Sequence, residues 1–375
     1  MDLGELLPEL LKGFTHFTAG NALMIAAALT LIYLAVAKEY EPVLLLPIGF
    51  GCLLANIPLG GMTVGEGMMG ALYNAGIATE IFPLLIFIGV GAMIDFSPLL
   101  AQPKMVLLGA AGQFGIFGTL ILSLLLGFPL NQAASIGVIG AIDGPTSIFV
   151  AAKLAPELLA PIAVAAYSYM SLIPIIQPPL MRLLTTKKER MIRMDYAPKP
   201  ISNRTLVIFP LALTLVVGLL VPEATPLISM LMLGNLLKVS GVVERLSKAA
   251  QNEIINIATL FLGLTIGATM EAAAFLNLDT IMILLLGLLA FVLDTVAGLL
   301  FGKLMSVLSG HKINPLIGAA GISAFPMAGR LAARMASEAD PDNFILMHAM
   351  GANTAGQLGS VMAGGILLAI VSKLV

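Results

Sequence analysis

Residues 140–148 read GAIDGPTSI, and residues 314–330 read NPLIGAAGISAFPMAGR. Both stretches sit within long apolar runs, and each places a proline and small residues where a membrane helix would otherwise continue. Pro145 has no N–H to offer the carbonyl of Ala141, and Pro326 none for the carbonyl of Ile322. A carbonyl freed inside a bilayer must find another partner. Oxygen-bearing side chains stand beside each break: Asp143, Thr146 and Ser147 in the first, Asn314 and Ser323 in the second. A hard cation such as Na+ would satisfy both kinds of oxygen.

The rest of the chain supplies the membrane. Of 375 residues, 59% are hydrophobic and 11% are charged. A soluble domain carries roughly 25% charged residues, so a soluble globular enzyme is excluded. At about 20 residues per span, the chain has room for ~10 or 11 transmembrane helices. The expected class is an all-α polytopic membrane protein. A net charge of −2 excludes the usual basic nucleic-acid surface. The lone Cys52 excludes an intrachain disulfide or an all-cysteine metal site, and His16, His311 and His348 form no metal-binding motif. There is no Walker-A pattern and no Met-Lys-Met tripeptide for covalent biotin. Whatever drives this protein is an ion gradient or a partner chain. The acidic start, Met1-Asp2-Leu3-Gly4-Glu5, does not read as a cleaved signal peptide.

Residues 1–20 pattern as an amphipathic interfacial helix, and residues 1–80 add scaffold helices near 22–37 and 42–59. Residues 61–79 are glycine-rich and read as a short or half helix. Spans follow near 81–96, 105–128 and 157–181, with the first broken helix at 131–155 between the last two. Residues 182–204 hold Arg182, Lys187, Lys188, Arg190, Arg193, Lys199 and Arg204, which marks this loop as cytoplasmic. The same charge would also suit docking of a soluble partner. Scaffold helices over 205–256 lead to the second half, 257–375, with its broken helix at 313–336.

The halves 81–181 and 257–375 repeat weakly. Gly91-Ala92 and Asp95 fall on Gly267-Ala268 and Glu271, Ala141–Pro145 fall on Gly321–Pro326 with one insertion, and Ala151-Ala152-Lys153 fall on Ala332-Ala333-Arg334. Two repeats with a broken helix in each are the pattern of a transporter fold, and inversion is the commoner arrangement when the site lies between them.

Asp143 reads as a cation ligand or as the N-cap of the second half-helix, because an intramembrane acid is functional by default. Asp95 and Glu271 read as helix caps, while Asp294 is open between function and packing. Arg330 lies two helical turns beyond Ser323 and suits a carboxylate ligand, or serves as an interfacial arginine. Asn353 offers a neutral oxygen or a helix–helix hydrogen bond. Tyr167 and Tyr169 are interfacial residues or proton relays.

Four stretches, GVGAMIDFSPLL (89–100), GAIDGPTSI (140–148), AAYSYMSLIPIIQPPLM (165–181) and NPLIGAAGISAFPMAGR (314–330), resemble the β subunits of biotin-dependent, sodium-translocating decarboxylases. The resemblance runs from about residue 20 over nearly the whole chain. It implies a translocase subunit of a prokaryotic plasma (inner) membrane that decarboxylates carboxybiotin and couples this to Na+ export with proton uptake. It also implies partners: a carboxyltransferase subunit, a biotin carrier subunit that bears the cofactor, and a small membrane-anchoring subunit. A homo-oligomer is compatible with it. By the same resemblance, Asp143, Asn314, Gly318, Ser323 and Asn353 contact Na+, and Asp143 exchanges protons; a proton arriving through Asp143 or Ser323 would displace Na+ and couple the two events. Tyr169 serves proton delivery, and Arg330 meets carboxybiotin. The competing reading is a secondary Na+-coupled carboxylate transporter or Na+/H+ antiporter, which shares the repeat, the breaks and Asp143.

Overall fold

The computed structural model describes residues 11–65, 67–194, 200–324 and 326–375. Most of the expected amphipathic helix (residues 1–10), part of the basic loop (195–199) and Phe325 of the second motif lie outside the described residues. Lys12–Thr15 forms a single helical turn.

Every regular element among the described residues is helical. Helices α1 (Ala19–Ala37), α2 (Pro42–Ala55) and α3 (Ile81–Met93) open the chain. The glycine-rich stretch before α3 forms a short helix, Gly67–Leu72, that runs into a π-turn, Tyr73–Ile77. Then come α4 (Phe114–Leu125), the two halves of the first break, α5 (Leu130–Val138) and α6 (Gly144–Leu154), and the pair α7 (Leu159–Ser171) and α8 (Ile173–Leu184). The second half holds α9 (Asn203–Leu220), α10 (Thr225–Val239), α11 (Ile255–Ala268), α12 (Leu278–Leu308), α13 (Met327–Ala339) and α14 (Leu346–Val371).

Six described helices are long and apolar enough to cross a membrane, or up to eight if each bent pair counts as one span. This is fewer than the 10 or 11 that length alone allows. The reason is local: α2 has 14 residues, and the chain at each break is divided into pieces too short to cross singly. Bare leucines on the long helices face outward, with Leu125 77% and Leu219 82% exposed. On a chain this poor in charge, such a surface faces lipid.

Two helix pairs form the scaffold, and glycine sets how closely each packs. A Cβ on Gly91 of α3 would sit 1.9 Å from the Leu231 carbonyl oxygen of α10, and one on Gly234 of α10 would sit 1.9 Å from that of Ile88. The pair α2 and α11 repeats the device, with Gly267 at 2.1 Å from the Ile48 oxygen and Gly51 at 2.2 Å from that of Leu264. Small residues let membrane helices approach to backbone contact. In each pair the C-terminal ends meet. Asn56, just after α2, donates to the Met270 carbonyl beyond α11 at 2.8 Å, and Lys238 of α10 donates to the Met93 carbonyl of α3 at 3.0 Å. The third helix of each half therefore packs on the second helix of the other half.

At the breaks the chain departs from a plain proline kink. In the first, α5 tightens into a 3-10 turn over Ile139–Ala141, Ile142 takes a left-handed conformation at φ 52°, and Asp143 restarts the helix. In the second, the leading half is not an α-helix but a 3-10 segment, Pro315–Gly321, pressed onto α12. Gly318 lies there, where a Cβ would fall 2.0 Å from the Gly298 oxygen.

Candidate functional site: the junction of the two breaks

The two breaks meet. The Ser323 N–H donates to the Ala141 carbonyl at 3.2 Å, the group that Pro145 leaves without a helical partner. The Ile322 carbonyl, freed by Pro326, accepts from Asn353 Nδ2 of α14 at 2.7 Å, and the same nitrogen reaches the Ala320 carbonyl at 3.1 Å. Asn353 Oδ1 is buried without a partner. Ser323 Oγ donates to the Gly356 carbonyl at 2.9 Å. The free carbonyls are thus met by the other break and by α14, and α14 ties both breaks together.

Asp143 is only 5% exposed at this junction. It is the N-cap of α6: Oδ1 accepts the Thr146 N–H at 3.2 Å, and Oδ2 accepts the Thr146 hydroxyl at 2.7 Å. It also does more than cap. Two donors come from α14, Gln357 Nε2 and Ser360 Oγ, each 2.7 Å from Oδ2. No lysine or arginine pairs with it among the described ion pairs. A buried carboxylate needs hydrogen bonds to remain charged, and these four supply them. Hydroxyls can also turn their lone pairs toward a cation. One carboxylate amid neutral oxygens suits a monovalent hard cation, and no cluster of three His, Cys, Asp or Glu side chains is found among the described residues.

A cavity of about 450 Å³ exposes this carboxylate, lined among others by Tyr167, Ser323 and Gln357. Tyr167 is 1% exposed, its hydroxyl has no partner, and a Cβ on Gly144 would fall 2.1 Å from its ring. Glycine at 144 is what admits the tyrosine beside Asp143.

Not every expected site residue is here. Asp143, Ser323 and Asn353 converge. Asn314 does not: its Nδ2 donates to the carbonyls of Arg190 and Ile192, both at 2.9 Å, and its Oδ1 accepts from Leu316 N–H. It fastens the basic loop to the second break, and Asn343 donates to the same two carbonyls at 3.0 and 3.1 Å. Gly318 is a backbone contact with α12. The hydroxyl of Tyr169 points away from Asp143 and donates to the Leu284 carbonyl of α12. Arg330 is exposed on the first turn of α13 and does not line the cavity. Sequence reasoning missed Gln357 and Ser360. The signal was present: Asn353, Gln357 and Ser360 recur at helical spacing on one face of an otherwise apolar span.

The family described as "Na+-transporting oxaloacetate decarboxylase beta subunit" matches residues 20–371. The chain belongs to this β-subunit family of Na+-transporting decarboxylases. It is 56% identical to the methylmalonyl-CoA decarboxylase subunit beta of Veillonella parvula, over 96% of each chain. To the glutaconyl-CoA decarboxylase subunit beta of Acidaminococcus fermentans it is 54% identical, again over 96% of each. With the oxaloacetate decarboxylase beta chain of Klebsiella pneumoniae it shares 47% identity, over 96% of this chain and 97% of that one. The chain is therefore the membrane subunit of a sodium-pumping decarboxylase, a multi-pass protein that works within a multi-subunit complex.

Proposed function

We propose that Asp143, with Ser323, Asn353, Thr146, Gln357 and Ser360 around it, is the Na+ site of the pump, and that Tyr167 and Ser323 handle the proton taken up in exchange. The observation that carries this reading is the contact between Ser323 and Ala141, because it brings the only acid at either break to the point where the two breaks meet. A cation there would bind oxygens from both halves, so its binding and release would respond to any movement of one half against the other. The C-terminal pairing of α2 with α11 and of α3 with α10 supports inverted repeats, since corresponding helices of the two halves then run in opposite directions.

Carboxybiotin, carried by a partner, is the substrate. Its decarboxylation releases CO₂ and leaves a nitrogen anion that must gain a proton. On this chain, Arg330, Arg334 and Glu338 form an exposed stripe at helical spacing down α13, whose other face buries Ala332, Met335 and Ala336. Glu338 bridges to Arg182 of α8 at 3.3 Å. That stripe suits an anionic headgroup approaching from the loop side, with Arg330 binding the carboxylate through two N–H groups. Moving one charge against 100 mV takes roughly 2.3 kcal/mol, within reach of a decarboxylation. The basic loop 182–204 is proposed as cytoplasmic, and the partners as a carboxyltransferase, a biotin carrier and a small anchoring subunit.

The test is carboxybiotin decarboxylation by the assembled complex, with and without Na+, in wild type and in Arg330→Lys. A slowed but still Na+-stimulated variant supports the assignment. Equal rates would reduce Arg330 to an anchor, and Na+-driven carboxylate uptake without turnover would favour the transporter reading.

A further inference from the structure

The cavity at Asp143 has a second end that the site above does not use. Its lining also includes Glu41 and Gln251, Asn252, Asn256 and Thr259. Glu41 precedes α2 in a left-handed conformation at φ 37°, and its side chain makes no capping bond. Gln251 and Asn252 belong to a π-turn, Ala250–Ile254, that leads into α11. A π-turn inserts an extra residue and turns the side chains that follow it; here Gln251 and Asn252 donate to Ser247 Oγ and the Lys248 carbonyl, at 3.0 and 2.8 Å, while lining the cavity. Among the described residues, no lysine, arginine or histidine lines the cavity. Tyr167, whose buried hydroxyl has no partner, lines the same cavity as Asp143 and Glu41.

Chain connectivity tells which face this end belongs to. The basic loop leads into α9 at Asn203, a tight turn at Pro222–Ala224 returns the chain along α10, and Val239 therefore ends on the loop's face. Lys238 touches the carbonyls of Met93 and Ile94 at 3.0 and 3.2 Å, and Met93 lines the cavity. Glu244–Ala249 and the π-turn follow within a few residues of α10's end. The start of α2 lies beside α11, with Pro47 Cβ 3.0 Å from a Cβ on Gly263.

We infer that this cavity is the cation's passage between Asp143 and the face of the basic loop, and that Glu41 is its outer docking residue. The inference rests on Asp143 as the ion ligand. Glu41 supplies the charge that draws Na+ into the mouth. Gln251, Asn252, Asn256 and Thr259 replace water along the wall, and Tyr167 offers its oxygen near Asp143, where its ring packs on Gly144.

Two measurements on the intact complex test this. The first is the Na+ concentration for half-maximal protection against heat, read beside that for decarboxylation. A unit charge ~10 Å from a cation, at an effective dielectric of about 20 to 40, changes affinity roughly four- to sixteen-fold. Glu41→Gln should raise both half-saturating concentrations by that factor, and Glu41→Asp should restore most of the loss. Unchanged values for Glu41→Gln would overturn the docking role. Asp143→Asn, measured in parallel, separates the two readings: if it keeps a wild-type Na+ response, the ion site itself is wrong, whatever Glu41 does. The second measurement places a cysteine at Asn256→Cys and adds a membrane-impermeant, positively charged thiol reagent to sealed vesicles. The native Cys52 is fully buried and serves as the blank. Labelling from the loop side, slowed by Na+, is expected. Labelling only from the opposite side, or from neither, would overturn the passage.

Discussion

Asp143→Asn separates the two roles that the structure gives this residue. As an N-cap, asparagine is as good as aspartate, and the Thr146 N–H at 3.2 Å would still find an acceptor. If capping were the whole role, the variant should fold and pump. As a cation ligand, the charge is everything. At ~2.4 Å, the range of hard cation–oxygen contacts, and an effective dielectric of about 20, one unit charge contributes up to ~7 kcal/mol. Losing it would weaken Na+ binding by as much as ~10⁵-fold, beyond any practical titration. Folding should change far less. The amide no longer carries a buried charge, but its NH₂ can accept from neither Gln357 Nε2 nor Ser360 Oγ, which now share Oδ2. Those opposing effects are each about 1–3 kcal/mol, so a net change of more than ~3 kcal/mol is not expected. The assay is thermal unfolding of the purified complex over a sodium series, with decarboxylation measured on the same samples. A normal melting temperature with no sodium protection and no turnover is the expected result. A variant that retains sodium-dependent protection and turnover would refute the ligand role and leave Asp143 a cap.

Tyr167→Phe removes a hydroxyl that has no partner, so stability should change by less than ~1 kcal/mol, while proton-coupled turnover slows; wild-type turnover would exclude the phenol from proton transfer. Ser360→Ala should raise the half-saturating sodium concentration about tenfold, the equivalent of one hydrogen bond to a charged group, and an unchanged titration would remove α14 from the site. Asn314→Ala and Asn343→Ala should each expose residues 186–194 to protease, with a double variant less than additive because both amides hold the Arg190 and Ile192 carbonyls; loss of the sodium response with the loop still protected would make Asn314 an ion ligand instead. The loop should also loosen in acid. The Arg193 guanidinium, bonded to Asp340 at 2.7 Å, holds that carboxyl below its usual 3.8, so its contribution is complete above 3.8 and fades as pH falls through the lowered value. Protease sensitivity of the loop should rise over that acidic range in wild type and show a smaller step in Asp340→Asn.

Composition and two prolines were enough for much of this protein. Sparse charge left no alternative to a membrane interior, and Pro145 and Pro326 each cancel one helical hydrogen bond whatever surrounds them, so the breaks and Asp143 were legible locally. Which groups would meet the freed carbonyls was not. Ala141 and Ser323 are far apart in sequence, and nothing in either stretch names the other. The faces of the helices were equally mute. In lipid, the outer surface is as apolar as the packed one, so periodicity cannot say which side of a span turns inward. The resemblance put Tyr169 at the site, but side chains two apart on a helix point in different directions, and of the two tyrosines Tyr167 lines the cavity at Asp143. The same ambiguity is why the polar face of α14, with Gln357 and Ser360, passed as ordinary span. Asn314 shows the remaining limit. Its chemistry suited a cation, but an amide buried beside two loop carbonyls donates to them first, and only the packing of the basic loop against the second break decided that.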